Sequence, residues 1–385
     1  MGNSSSNKKE KEKKGVGSKE TEKKEENEKK EDLYAWEKDG SVNTKLKFDD
    51  WYPVVEKFTM RSELIPINIK EIRAIMNAHE SKRPQNVGMT ISKEDTEQLE
   101  VFKKRIEEFL KKKTSDENKE KEEKEEKKEG IFLRFSNRSP KDSILRINKE
   151  KFEESVRKLV KEIYEAQKKS LEQYSNEAQI VNAIIRALTI LTSSQLCILN
   201  GDMAMDLVLN SERLFTDFKM GELIRGDDYQ TQLILREFNH QIDFECEFRC
   251  FVFKDRMTCI SQYNSMAFVP RIVENQLLIP TSIVKYWSSN IHPLMQQAGI
   301  TSYVLDLALV KDSMDIILIE INPFCTKAGA LLFDWKSDLQ ILLSADPVVF
   351  RFCQQPHSQQ PEHLTSELHS IFQSAFELLK TSSQQ

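Results

Sequence analysis

"ILIEINPF", residues 317–324, starts as a buried strand and then places Glu320 and Asn322 two positions apart. In a strand, residues i and i+2 point to the same face. A carboxylate and an amide therefore project side by side from the end of an otherwise apolar segment. An unpaired carboxylate in such a place is strongly unfavourable or becomes protonated. A cation, a basic side chain or water must compensate it.

The preceding strand, "YVLDLALV" (303–310), carries Asp306 as its single charge, and "VKDSMD" (310–315) reads as the turn between the two. An antiparallel hairpin brings Asp306 opposite the Glu320–Asn322 end. Three oxygen donors, two of them anionic, then converge at one sheet end. Hard oxygen ligands of this kind suit Mg2+, with phosphates or water completing the octahedron.

Complementary charge lies in "FLRFSNRSPKD" (132–142). Arg134 stands inside an apolar strand, and a polar loop with Arg138, Ser139 and Lys141 follows. Basic groups so placed suit a phosphate-rich ligand. In "CEFRCFVF" (246–253), Cys246, Phe248, Cys250 and Val252 share one face, and Glu247 and Arg249 share the other. That polar face is either a cross-strand ion pair or a ligand-facing surface where Arg offers a planar fork to phosphate. Neither GxxxxGK nor GxGxxG occurs, so P-loop and Rossmann sites are excluded. HExxH is absent too, and no nucleophile triad is recognisable.

The 385-residue chain is 31% charged yet carries a net charge of only -5. Interleaved Lys and Glu produce that balance, so charge gives no indication of direct nucleic-acid binding. Cys246 and Cys250 stand roughly 13 Å apart along a strand, too far to share a zinc ion. Core thiols in a reducing compartment are expected. The most apolar run, "IVNAIIRALTILT", is interrupted by Asn182 and Arg186, and no secretory h-region is present. The chain reads as soluble and cytoplasmic.

Residues 1–43 are dominated by Lys, Glu, Ser and Asn and are expected to be disordered. A second charged tract, 111–130, reads as a low-complexity insertion. "MGNSSS" at the start fits the acylation pattern on Gly2, and the acid-diluted lysines behind it imply at most weak membrane association. Folded sequence begins near Leu46, with a short helix and a strand over 48–67. Helices follow over 94–112, about 150–163, 178–192 and 203–209, with a strand over 130–136 before the second of them. From Gln230 the texture changes to strands, with a helical stretch at 279–299 and a last helix at 364–380. A helix-rich middle followed by mostly antiparallel strands gives α+β. Three parts are drawn: an extension (1–43), a main domain (44–350) with the insertion at 111–130, and a tail with a short helix (351–385).

"FDDWYPVVEKFTMRSELIPI", "FLRFSNRSPKD", "LILREF" with "CEFRCFVF" and "ISQ", "YVLDLALV", and "LIEINPF" with "ALLFDW" occur in the order and spacing of one family. From Phe48 to Trp335 the chain resembles the D123, or cell-division-cycle 123, family. The resemblance implies an ATP-grasp fold, two α+β subdomains clasping a nucleotide. It further implies ATP and Mg2+ as cofactors. Arg134 matches a phosphate-contacting Lys, and Ser139 and Lys141 fall in the phosphate-side loop. Arg236, Glu237 and Phe238 match the hinge that holds adenine, and Glu247 and Arg249 match nucleotide-contacting positions. Asp306, Glu320 and Asn322 match the metal ligands, with Glu320 replacing an Asp. By the same resemblance the chain is an assembly chaperone that binds the gamma subunit of translation initiation factor 2. The alternative is a carboxylate–amine ligase acting through an acyl phosphate. Departures from the family are the two charged tracts, the expanded helical middle, and "NPFCTKAGALLFDW" where a Gly-Glu pair commonly follows "NPF".

Overall fold

The structure is a computed structural model and describes residues 46–382 except 87, 118–129, 148 and 362–363. The N-terminal extension, the acylation pattern at Gly2 and most of the tract 111–130 lie outside the described residues.

Two sheets organise the chain. The smaller is antiparallel in the order β1-β3-β2, from β1 (Ser62–Ile67), β2 (Ile131–Phe135) and β3 (Thr231–Glu237). The larger runs β7-β6-β4-β5-β8, from β4 (Ile242–Phe253), β5 (Arg256–Gln262), β6 (Tyr303–Val310), β7 (Ile316–Pro323) and β8 (Val349–Arg351). Its pairs are antiparallel except the parallel β5–β8 pair. The class is α+β, and residues from both sheets line one cleft. Among the described residues no helix is long and apolar enough to cross a membrane.

Helix Phe48–Val55 shows how local sequence builds the floor of that cleft. Phe48, Trp51, Tyr52 and Val55 recur at helical spacing and are all buried. Asp49 and Asp50 occupy the first turn, where the helix dipole favours negative charge. The Lys47 backbone N–H donates to the Asp50 carboxylate at 2.7 Å, fixing the entry of the chain. Just beyond, the Thr59 hydroxyl donates to the Leu318 carbonyl at 2.6 Å and ties this segment to β7.

The helical middle contains Lys149–Gln167 and Asn176–Ser194, which pack on one another and on the last helix, Ser366–Ser382. Ile371, Phe372, Ala375 and Leu379 of that last helix are buried in the main core. Elements that were not expected include helices Ile69–Ser81, Glu212–Arg225 and Leu339–Ser344, and strand β8. The first had a legible signal, since Asn68 and Glu71 form a capping box. Helix Glu212–Arg225 has apolar residues around its circumference, burying Leu214 and Phe218 while Leu223 and Ile224 stay exposed. Periodicity alone does not single out such a helix.

Candidate functional site

Strand register assembles the site. Arg249 on β4 lies opposite Asp306 on β6, and Asp306 lies opposite Glu320 on β7. Directly paired residues share a face, so these three form a row across adjacent strands. Asn322 follows Glu320 on the same face, beside Asp306.

The row is fully engaged. Arg249 donates from Nε and Nη2 to the two oxygens of Asp306, both at 2.8 Å. Its Nη1 donates to the Gly329 carbonyl at 2.9 Å, and its guanidinium lies 5.1 Å from the centre of the Tyr263 ring. Asn322 Nδ2 adds a third donor to Asp306 at 3.1 Å. Glu320 pairs with Arg134, which reaches across from β2 of the smaller sheet. Phe48 lies below, with the Arg134 and Arg236 guanidinium groups 5.2 and 5.3 Å from its ring centre.

The charges respond to this crowding. Burial works against the Arg249 cation, but Asp306 outweighs it and holds the guanidinium pKa above its ordinary value. Burial also opposes ionisation of Glu320; Arg134, Lys141 and Arg236 overcome it and bring its pKa down to about 2. Among the described residues no guanidinium hydrogen-bonds to the Glu247 carboxylate. Burial pushes its pKa up to about 7, against the pull of Lys141 and with Asp306 adding repulsion. On Lys141 burial is outweighed by Tyr263, Glu247, Glu320 and Asp306, so its pKa rises. Arg236 is drawn down to about 9 by burial and by its neighbour Arg134.

A cleft of about 740 Å³ opens above the row, within the usual range for small-molecule sites. Arg134, Ser139, Lys141, Arg249, Glu320 and Asn322 line it. Asp306 lies beneath them, 1% exposed. The three residues of the expected hinge make contacts within the fold. Arg236 is 2% exposed and acts as a clasp, donating to the Ile319 carbonyl at 2.9 Å and to the Thr59 hydroxyl at 2.7 Å. The Glu237 N–H donates to the Arg61 carbonyl and the Phe238 N–H to that of Gly130. The Phe238 ring packs against His240 and Phe244. Glu237 and Phe238 are not among the residues that line the cleft.

Sequence reasoning missed Phe48, Tyr263, Arg213, Asp217, Met220 and Lys327 as cleft residues. Phe48 and Tyr263 reach it only through tertiary packing. Cys246 and Cys250 are buried, and burial raises the pKa of both thiols, as expected for inert core cysteines.

Among the described residues no group of three His, Cys, Asp or Glu side chains is poised to hold a metal ion. Two carboxylates and one amide, each already hydrogen-bonded, suit only a cation that keeps much of its shell from water and phosphate. Mg2+ is such a cation.

The D123 family model matches residues 51–382. This chain belongs to the D123 family. Curated relatives of this D123 chain include a protein of Lodderomyces elongisporus named translation initiation factor eIF2 assembly protein, 30% identical over 127 residues. That match covers 31% of this chain and 30% of the relative. A Danio rerio protein of the same name is 32% identical over 106 residues, covering 27% of this chain and 29% of the relative. The matched segments thus span under a third of either relative. Among solved structures, Cdc123 from Schizosaccharomyces pombe is 17% identical and aligns with a TM-score of 0.49, covering 81% of this chain and 98% of that one.

Proposed function

We propose that this D123 protein is an ATP- and Mg2+-binding assembly chaperone for translation initiation factor 2, engaging its gamma subunit. The names of the two curated relatives support the assembly role. The observation that carries the nucleotide reading is the ion pair between Arg134 and Glu320, which joins the two sheets across the cleft.

Arg134, Lys141 and Arg249 are the groups that hold phosphate oxygens, with Ser139 at the loop that leads to Lys141. Asp306, Glu320 and Asn322 hold Mg2+. The bound ion supplies charge neutralisation to the phosphates. Arg134 balances Glu320 in this structure; a bound phosphate would offer Arg134 another anionic partner, and a bound cation would do the same for Glu320. Neither the guanidinium nor the carboxylate would then be left as a lone buried charge. Because Arg134 belongs to the smaller sheet and Glu320 to the larger, such an exchange of partners would couple nucleotide binding to the fit of the two halves.

The test is capture of purified gamma subunit with ATP, a non-hydrolysable analogue or neither, beside a phosphate-release assay with carboxylate and amine acceptors. A chaperone needs only the nucleotide-stabilised shape, so the analogue with Mg2+ should support capture nearly as well as ATP. Absence of capture together with acceptor-stimulated phosphate release would establish the ligase instead.

A further inference from the structure

The cleft has a mouth whose chemistry differs from its floor. Helix Glu212–Arg225 runs along one side, and residues at positions 213, 217, 220 and 224 follow helical spacing on one face. Arg213, Asp217, Met220 and Ile224 accordingly all line the opening. Asp217 is neutralised by Arg138 at 2.7 Å. Lys47, Arg213, Arg225 and Lys327 also line it, from three separate segments, and none of their side chains has an ion-pair partner among the described residues. On the same helix, Leu223 is 76% exposed, Ile224 73% and Met220 48%.

These two features point the same way. Four cations with no ion-pair partner among the described residues converge on one opening in a chain whose net charge is -5. Beside them three aliphatic side chains at spacing i, i+3 and i+4 form one exposed patch on a helix. Such patches mark places where another surface docks. A free nucleotide needs the cationic part but has no use for aliphatic groups at the rim. Single-stranded nucleic acid would use aromatic platforms for its bases, and the exposed groups here are aliphatic.

We propose that the mouth of the cleft, centred on helix Glu212–Arg225, docks an acidic peptide segment that also carries aliphatic side chains, its carboxylates meeting Arg213, Arg225 and Lys327 and its apolar groups covering Leu223 and Ile224. The proposal rests on the chaperone reading insofar as the segment belongs to the protein partner; it does not depend on ATP.

The probe is a short fluorescein-labelled peptide of Glu, Asp and Leu, titrated against the full chain by anisotropy, with Glu-Ser and Lys-Leu peptides as controls. The Glu-Asp-Leu peptide should bind, and the controls should bind at least about tenfold more weakly. Leu223→Ser with Ile224→Ser should weaken binding about tenfold, and so should Arg213→Glu with Lys327→Glu. Only the second pair should reduce the salt dependence. All four positions are exposed, so circular dichroism should be unchanged. ATP titration in parallel separates the two ideas: peptide binding without ATP binding removes the nucleotide reading and leaves this one standing. Equal binding of all three peptides, or no binding, overturns the proposal. So does tight binding of an oligouridylate probe instead, or a dimer in sedimentation that the same substitutions dissolve.

Discussion

Arg249 grips both oxygens of Asp306 at 2.8 Å while Asn322 donates to the same carboxylate at 3.1 Å. The side chains expected to hold a cation thus also form a structural unit, because Arg249 is 8% and Asp306 1% exposed. Removing one partner of a buried ion pair leaves the other uncompensated. Asp306→Ala should therefore destabilise the fold by about 3–5 kcal/mol, seen as a large fall in thermal unfolding midpoint. An unchanged midpoint would contradict the buried pair.

Glu320 separates binding from folding better, since its side chain is 23% exposed and its partner Arg134 also donates to the Phe135 carbonyl at 3.2 Å. Glu320→Gln leaves Arg134 an acceptor, so it should cost less stability than Asp306→Ala while weakening Mg2+-dependent ATP binding by about tenfold or more. Calorimetric titration with and without Mg2+ decides it. Parent-like affinity in both conditions would remove Glu320 from the metal set.

The hairpin was legible because one charge in "YVLDLALV" and two polar residues in "ILIEINPF" have a single sensible way to meet. The register Asp306–Glu320 follows. Partnering was less legible. Parity placed Glu247 and Arg249 on one face, but sequence could not show that Arg249 reaches Asp306 on the next strand rather than Glu247 on its own. Family resemblance alone places Arg236 at the hinge, and no pattern in the sequence shows that its guanidinium reaches the Ile319 carbonyl.

Arg236 and Thr59 should behave as a clasp between the sheets. Thr59→Val keeps the shape but removes the acceptor of Arg236 Nη2 and the donor to the Leu318 carbonyl. Leaving buried polar groups unsatisfied costs about 1–3 kcal/mol. Denaturant unfolding should show a loss of that size. Hydrogen exchange should rise first at β7 and the start of β1, and uniform protection would argue against a local clasp.

Glu247 and Glu320 shift stability with pH in opposite senses. The folded protein holds the Glu247 carboxyl near 7 and that of Glu320 near 2, against an ordinary 4.5. A raised acid binds a proton in the folded state that the unfolded chain has released, so its favourable contribution declines as pH rises from 4.5 to about 7. A depressed acid stabilises above 4.5 and loses that contribution as pH falls toward 2. Glu247→Gln should gain stability over the parent as pH rises through its window, and Glu320→Gln should flatten the acid limb. Parallel pH profiles for parent and variants would refute both assignments.

Gly221 tests how the wall of the cleft is built. It sits in the middle of helix Glu212–Arg225, where glycine costs about 1 kcal/mol relative to alanine. Propensity alone therefore favours Gly221→Ala. Packing opposes it, because an added Cβ would overlap the Tyr229 ring, with Cε1 only 2.6 Å away. Tyr229 is 6% exposed, so the ring cannot swing aside without opening the interior. Forcing a methyl group into a filled space typically costs about 1–3 kcal/mol, enough to exceed the helix gain. Gly221→Ala should thus lower stability in the parent chain. In a Tyr229→Ala background the overlap is gone, and the same substitution should raise stability by up to about 1 kcal/mol. Chemical denaturation of the four proteins in this double-mutant cycle measures the reversal of sign. If Gly221→Ala stabilises both backgrounds, the glycine is incidental and Tyr229 does not pack against the helix backbone as described.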